Sequence, residues 1–120
     1  MIEANEYVRT NSGLIFMVNE ITYDEEYKDY LYKESFLLVD WKENIVKHSK
    51  QLIDLIEVGD IVNGMEVLDI HKPRDLWEPI EIRVDSRYTN FILAEDIKTI
   101  LTKEIYMANC YKVGGEKQCM

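Results

Sequence analysis

The segment VGDIVNGMEVLDI, residues 58–70, decides the fold class more than any other part of the chain. Asn63 and Gly64 both tolerate the positive φ that the two central positions of a primed β-turn require. On either side of this pair, β-prone residues alternate with polar ones, which is typical of half-buried strands. The segment therefore predicts a tight β-hairpin.

Further β-type runs lie on both sides of this hairpin. Residues 6–10 and 14–18 flank the loop Asn11-Ser12-Gly13, and a three-residue loop that ends in glycine is typical of a second hairpin. The run from 14 continues in alternation towards Tyr23. The later runs are residues 79–84, 88–93 and 111–113.

Two short segments have helical spacing. Apolar residues recur at helical intervals in 49–57, where Ser49 is a candidate cap, and Thr102 is a candidate cap for a helix that ends at Asn109. Five to seven short strands with one or two short helices predict a mostly β (α+β) fold. Its simplest forms are a small twisted antiparallel sheet or an open barrel like that of Src-homology-3 domains. No linker-like stretch interrupts the chain, so we expect one β-rich domain over 1–113 and a flexible tail over 114–120.

The charge of the chain narrows the classes of partner. Its 120 residues include 14 Lys and Arg against 23 Asp and Glu, a formal net charge of −9. An acidic surface repels phosphate groups, so we expect no direct binding to nucleic acid and none to anionic membranes. No apolar run is long enough to cross a bilayer, and no signal-peptide pattern opens the chain. The cysteines, Cys110 and Cys119, are therefore expected to be reduced, and the expected location is cytoplasmic.

Residues that commonly carry catalysis are sparse. His48 and His71 have no second histidine at a ligand spacing, and Cys110 and Cys119 lack the close spacing that pre-forms half a zinc site. The serines lack a nucleophile elbow, and no glycine-rich phosphate loop precedes a helix. We therefore expect no enzyme and no cofactor, and a metal site built from these histidines and cysteines stays open as an alternative.

The stretch YDEEYKDYLYKE, residues 23–34, is the most suggestive part of the chain for function. Residues 1–60 hold 13 acidic and 6 basic residues, whereas residues 61–120 hold 10 and 8, so the negative charge is concentrated in the half that contains this stretch. Tyrosines are favoured interface anchors, and carboxylates around them would steer a basic partner. The alternative is a solvated face whose tyrosines close over the core.

Trp77 lies between Pro73 and Pro79, either as a lid on the core or as an exposed anchor. The predicted partner-binding residues are Tyr23, Asp24, Glu25, Glu26, Tyr27, Asp29, Tyr30, Glu34 and Trp77.

Five segments spread over the chain form a further pattern: residues 6–10 with Gly13, 45–49, 54–64, 97–104 and 109–113. In these segments the chain resembles small uncharacterised proteins encoded by phages, prophages and mobile elements of low-GC Gram-positive bacteria. The resemblance attaches no catalytic residue to the pattern, and residues 23–41 and 72–90 fall outside it. Those unmatched segments are where a particular member would place its own function.

The resemblance and the charge pattern together predict an anti-defence protein of the host cytoplasm. It would bind and inhibit a host protein with a basic nucleic-acid-binding surface, such as a CRISPR effector nuclease or a restriction enzyme, as a nucleic-acid mimic. The alternatives are a phage assembly module that acts by self-association and a small metal-binding protein. The sequence leaves the oligomeric state open.

Overall fold

The computed structural model of the chain describes residues 2–34, 38–75, 77–87 and 90–110. Backbone contacts divide the chain into two compact units, Met1–Leu55 and Ile56–Met120. One domain over residues 1–113 stays a prediction. The tail at 114–120 and the strand expected at 111–113 lie outside the described residues.

The first unit contains two antiparallel three-stranded sheets, with strand orders β2-β1-β6 and β3-β4-β5. Two 3-10 helices, Lys42–Asn44 and Leu52–Leu55, precede and follow the last strand. The strands are β1 (Tyr7–Thr10), β2 (Ile15–Met17), β3 (Glu20–Asp24), β4 (Asp29–Lys33), β5 (Val39–Trp41) and β6 (Ile45–Ser49).

The predicted hairpin around Asn11-Ser12-Gly13 is confirmed, because β1 and β2 pair antiparallel across it. Gly13 has a φ of 90°, which explains the need for glycine at the end of the loop. The run expected to continue towards Tyr23 is instead divided between two sheets. Val18 donates its N–H to the carbonyl of Glu6, the residue before β1, and Asn19 donates to the carbonyl of Lys33 in β4.

A cluster of buried side chains fills the first unit, comprising Ile2, Val8, Phe16, Val18 and Tyr32. Arg9 is also buried, and its Nη1 donates a hydrogen bond to the Leu55 carbonyl at 3.0 Å. That bond ties β1 to the 3-10 helix Leu52–Leu55. The helix expected at 49–57 is thus a single short 3-10 turn.

The second unit contains a five-stranded antiparallel sheet of order β10-β9-β8-β7-β11. The predicted helix after Thr102 is confirmed as α1 (Lys103–Asn109), and a 3-10 helix forms at Ala94–Asp96. The strands are β7 (Ile61–Val62), β8 (Met65–His71), β9 (Glu81–Val84), β10 (Phe91–Ile92) and β11 (Ile100–Leu101).

The Asn63-Gly64 turn has the predicted geometry. Val62 pairs with Met65 across it, and φ is 53° at Asn63 and 80° at Gly64. The Asn63 side chain also accepts the N–H groups of Lys98 and Thr99, at 2.7 and 3.0 Å. This one asparagine therefore closes the hairpin and holds the segment that leads into β11.

Asp60 organises the other end of β7. Its buried carboxylate accepts the N–H of Glu57 at 2.8 Å and the N–H of Lys103 at 2.9 Å. The Lys103 ammonium lies 2.8 Å from the Glu57 carboxylate, which also raises the pKa of Lys103. Asp60 thereby anchors the first residue of α1 to the loop before the sheet.

The fold class is confirmed as mostly β, of the α+β kind, with one α-helix among the described residues. Within the same residues, none of the three antiparallel sheets closes into a barrel. The described residues form eleven strands, more than the predicted number, because strands of two residues such as β10 are too short to leave a period in the sequence. In the described ranges, no helix is long and apolar enough to cross a membrane.

Candidate functional site: an acidic, tyrosine-rich hairpin

The stretch of tyrosines and acids at residues 23–34 folds into a β-hairpin. Tyr23 pairs with Tyr30 and Asp24 with Asp29, which leaves residues 25–28 as the turn. Asp24 builds this turn: its side chain accepts the Tyr27 N–H at 2.8 Å, and its carbonyl accepts the N–H of Lys28 at 2.7 Å. Lys28 completes the turn with a φ of 57°.

One face of the hairpin carries most of its tyrosines, in a gradient of burial. Tyr32 is 1% exposed and belongs to the core, and Tyr30 is half-buried against that core. Tyr23 is 52% exposed and meets the Tyr30 ring edge-on, with 5.0 Å between centroids. Alternation along the strands places these side chains on one face, and exposure increases towards the turn. Tyr32 therefore serves the core, whereas Tyr23 is available to a partner.

Tyr27 lies in the turn and is held from two sides. Its ring centroid is 4.3 Å from that of Trp41, and its hydroxyl donates a hydrogen bond to Glu43 Oε1 at 2.6 Å. This bond and the charge of the Glu43 carboxylate raise the pKa of Tyr27. The side chain is still 52% exposed. Tyr27 is thus an aromatic surface in a fixed position.

The predicted acids do not all lie at the turn. Asp24, Glu25 and Glu26 are exposed there, and Asp29 is half-buried with Oδ2 accepting the N–H of Glu43 at 3.3 Å. Glu34 is exposed beyond the opposite end of β4, roughly 17 Å from Asp29 at the usual strand rise. The structure therefore gathers four of the five acids around the turn.

The segment Lys42–Asn44, which no sequence pattern singles out, adds to this site. Glu43 brings a further carboxylate beside Tyr27, and the Lys42 ammonium lies 5.9 Å from the centre of the Tyr30 ring. Trp41, the last residue of β5, supports Tyr27 through the ring contact. The register of β5 on β4, with Trp41 opposite Leu31, produces this arrangement, and no local pattern signals it.

Trp77 belongs to the second unit, in the loop between β8 and β9. It is 81% exposed, so it is an exposed side chain and not a lid on the core.

The histidines and cysteines form no common centre in the part of the chain that the structure describes. His48 Nδ1 lies 3.0 Å from Glu6 Oε1 in the first unit, whereas His71 lines a shallow cavity of about 330 Å³ on the β8–β9–β10 face of the second. Among the described residues, no group of three or more His, Cys, Asp and Glu is placed to hold a metal ion.

Cys110 is disulfide-bonded, so the expectation of a reduced thiol there is wrong. Cys119 lies outside the described residues. The cytoplasmic location, which was inferred together with the reduced thiols, stays a prediction.

Comparison with known proteins gives this chain no relative. It matches no family model, no curated protein and no solved structure.

Proposed function

We propose that the chain is a non-enzymatic binding protein that inhibits a host defence protein through the turn of the acidic hairpin. The proposed target is a nucleic-acid-handling enzyme of the host cytoplasm, such as a CRISPR effector or restriction nuclease. The observation that carries the proposal is that two exposed tyrosines and three exposed acids lie at the same turn. The tyrosines are Tyr23 and Tyr27, each 52% exposed, and the acids are Asp24, Glu25 and Glu26. An origin in a phage or another mobile element is part of this proposal.

Two physical effects support this assignment. The carboxylates would raise the rate of encounter with a basic nucleic-acid channel, and salt would weaken that steering. The tyrosines would supply the desolvated anchors that dominate interface energies. Because Trp41 and Glu43 already hold Tyr27, binding would cost little of its rotational freedom.

The test is affinity capture from a host lysate on the immobilised full chain, followed by elution with duplex DNA or RNA. An acidic domain seated in a nucleic-acid channel competes with nucleic acid for the same surface. The proposal predicts a captured protein that nucleic acid releases and whose nuclease activity the chain inhibits. If excess nucleic acid releases none of the captured proteins, the proposal is contradicted.

A phage assembly module acting by self-association is the second candidate. Trp77 favours it, because a tryptophan that is 81% exposed is typical of an interface anchor. Light scattering on the purified chain and on Trp77→Ala distinguishes the two. Assembly predicts oligomers that the substitution dissociates, whereas a monomer at every concentration contradicts it.

A further inference from the structure

The outer edge of β3 is the least protected sheet edge among the described residues. Of the edge strands that the described ranges contain, only β3 and β6 are five residues long; β2, β5, β10 and β11 have two or three. The pairing of β6 with β1 has a register irregularity, and β6 contains Lys47. Irregular pairing and lysines are devices that prevent unwanted strand addition.

Strand β3 has neither device. Its residues are Glu20, Ile21, Thr22, Tyr23 and Asp24, without lysine or proline. Its pairing with β4 is regular from Glu20 to Asp24, and within the described ranges no strand pairs with its other side. A regular edge of this length can accept an added strand through backbone hydrogen bonds.

The side chains of β3 define what such a strand must carry. Glu20, Thr22 and Asp24 alternate with Ile21 and Tyr23, so the two sets lie on opposite faces. A partner residue opposite Glu20 or Asp24 is favoured when it is Lys or Arg, and one opposite Ile21 or Tyr23 when it is aliphatic or aromatic.

A second copy of the chain is disfavoured at this edge. Antiparallel pairing of two β3 strands about Thr22 sets Glu20 opposite Asp24 twice, and parallel pairing in register sets each acid opposite itself. Like charges directly opposite each other are destabilising in a sheet. The charge pattern therefore favours a basic partner over self-association.

We propose that β3 binds an extended segment of a partner protein by strand addition, and that this segment alternates basic with apolar residues. The proposal rests on the proposed function, because the same hairpin carries both, and it specifies the way in which the partner binds. It assigns Glu20 a role in recognition that the turn acids do not perform.

The experiment uses the ¹⁵N-labelled full chain and a capped peptide probe, Lys-Val-Thr-Val-Lys. Two further probes carry backbone N-methyl groups, one on both valines and the other on the lysines and the threonine. In an added strand only alternate N–H groups point at the edge, so one methylated set blocks pairing and the other does not. If the peptide bound through charge attraction alone, the two methylated peptides would bind equally well.

The expected result is a set of amide shift changes concentrated on Glu20–Asp24. One methylated peptide should bind about tenfold more weakly than the parent, whereas the other should bind within about twofold of it. Glu20→Lys should weaken binding, whereas Glu95→Lys, the same charge change on an exposed 3-10 helix, should leave it unchanged.

The proposal is overturned if the parent peptide does not bind, if both methylated peptides bind alike, or if the shifts lie elsewhere. The proposed function is judged separately. If a captured nuclease shifts the amide resonances of the turn residues but not those of Glu20–Asp24, the proposed function is supported and strand addition is overturned. If the peptide pairs with β3 but nucleic acid releases no captured protein, strand addition is supported and the proposed function is contradicted.

Discussion

The hydroxyl of Tyr27 donates a 2.6 Å hydrogen bond to Glu43, a residue sixteen positions away in the sequence. This contact joins the turn of the acidic hairpin to the 3-10 helix after β5. It makes the turn a surface in which an aromatic ring and several carboxylates have fixed relative positions. The electrostatic consequence can be measured at Tyr27 itself.

Glu43→Gln should move the pKa of Tyr27 back towards its ordinary value of 10.0. The substitution removes the charged acceptor that stabilises the protonated hydroxyl and the negative charge that opposes ionisation. An NMR titration of ¹³C-labelled tyrosine follows the resonance of Tyr27. Glu95→Gln is the control and should leave the titration unchanged, and an equal effect of both variants would contradict the Tyr27–Glu43 contact.

The stability of the first unit should depend on pH through Glu6. The N–H of Glu3 at 2.6 Å and the His48 ring at 3.0 Å bond its carboxylate, and these hydrogen bonds hold the pKa of Glu6 below 4.5. Because the pKa of Glu6 is lower in the folded than in the unfolded state, its stabilising effect is complete at pH values above about 4.5. It is lost as the pH falls through the folded-state value.

Urea denaturation of wild type and Glu6→Gln across this acid range checks the expectation. At neutral pH the variant should lose about 1–2 kcal/mol of unfolding free energy, and the difference should shrink as the pH falls. A difference that stays constant from neutral to acid pH would show that the charge of Glu6 contributes nothing.

How much the sequence predicts depends on the range of the interactions involved. The Asn63-Gly64 turn and the helix after Thr102 follow from local backbone preferences, and both were predicted at the right residues. Glu43 and Asp60 act on partners that only strand pairing and packing bring near. Their roles therefore leave no local pattern in the sequence.

For the candidate site, the sequence shows that acidic and aromatic residues are grouped at 23–34 but does not predict which of them are exposed. Tyr32 and Tyr23 look alike in the sequence, yet one is buried in the core and the other is half-exposed. Glu34 looks like part of the acidic run, yet the hairpin carries it to the end away from the turn. Register, which is a property of the folded sheet, accounts for both differences.

Asp60→Ala should be among the most destabilising substitutions in the second unit. It leaves the N–H groups of Glu57 and Lys103 without their buried acceptor, at a cost of about 2–4 kcal/mol. Chemical denaturation measures the loss, and hydrogen exchange should show faster exchange at the start of α1. Asp60→Asn, which keeps one acceptor oxygen, should cost less, and exposed Asp96→Ala should change little.

The two turn residues of the β7–β8 hairpin should differ in their contribution. Gly64→Ala should cost about 1 kcal/mol, because φ is 80° and an added methyl group meets no atom within 4 Å. Asn63→Ala should cost about 2–3 kcal/mol, because it also loses the side-chain bonds to Asp96, Lys98 and Thr99. If urea denaturation shows that both variants lose the same unfolding free energy, the side-chain hydrogen bonds of Asn63 do not contribute as expected.

The central claim, that the acidic turn recognises a basic partner, is tested most directly by quantitative capture from host lysate with matched charge variants. Glu25→Gln with Glu26→Gln removes two exposed carboxylates from the turn, and Glu95→Gln with Asp96→Asn removes two adjacent exposed carboxylates from the 3-10 helix of the second unit. At low salt the nucleic-acid-sensitive partner should be lost from the turn variant and retained by its control, because both changes alter net charge equally and only one alters the site. Equal retention of that partner by the two variants would contradict the account.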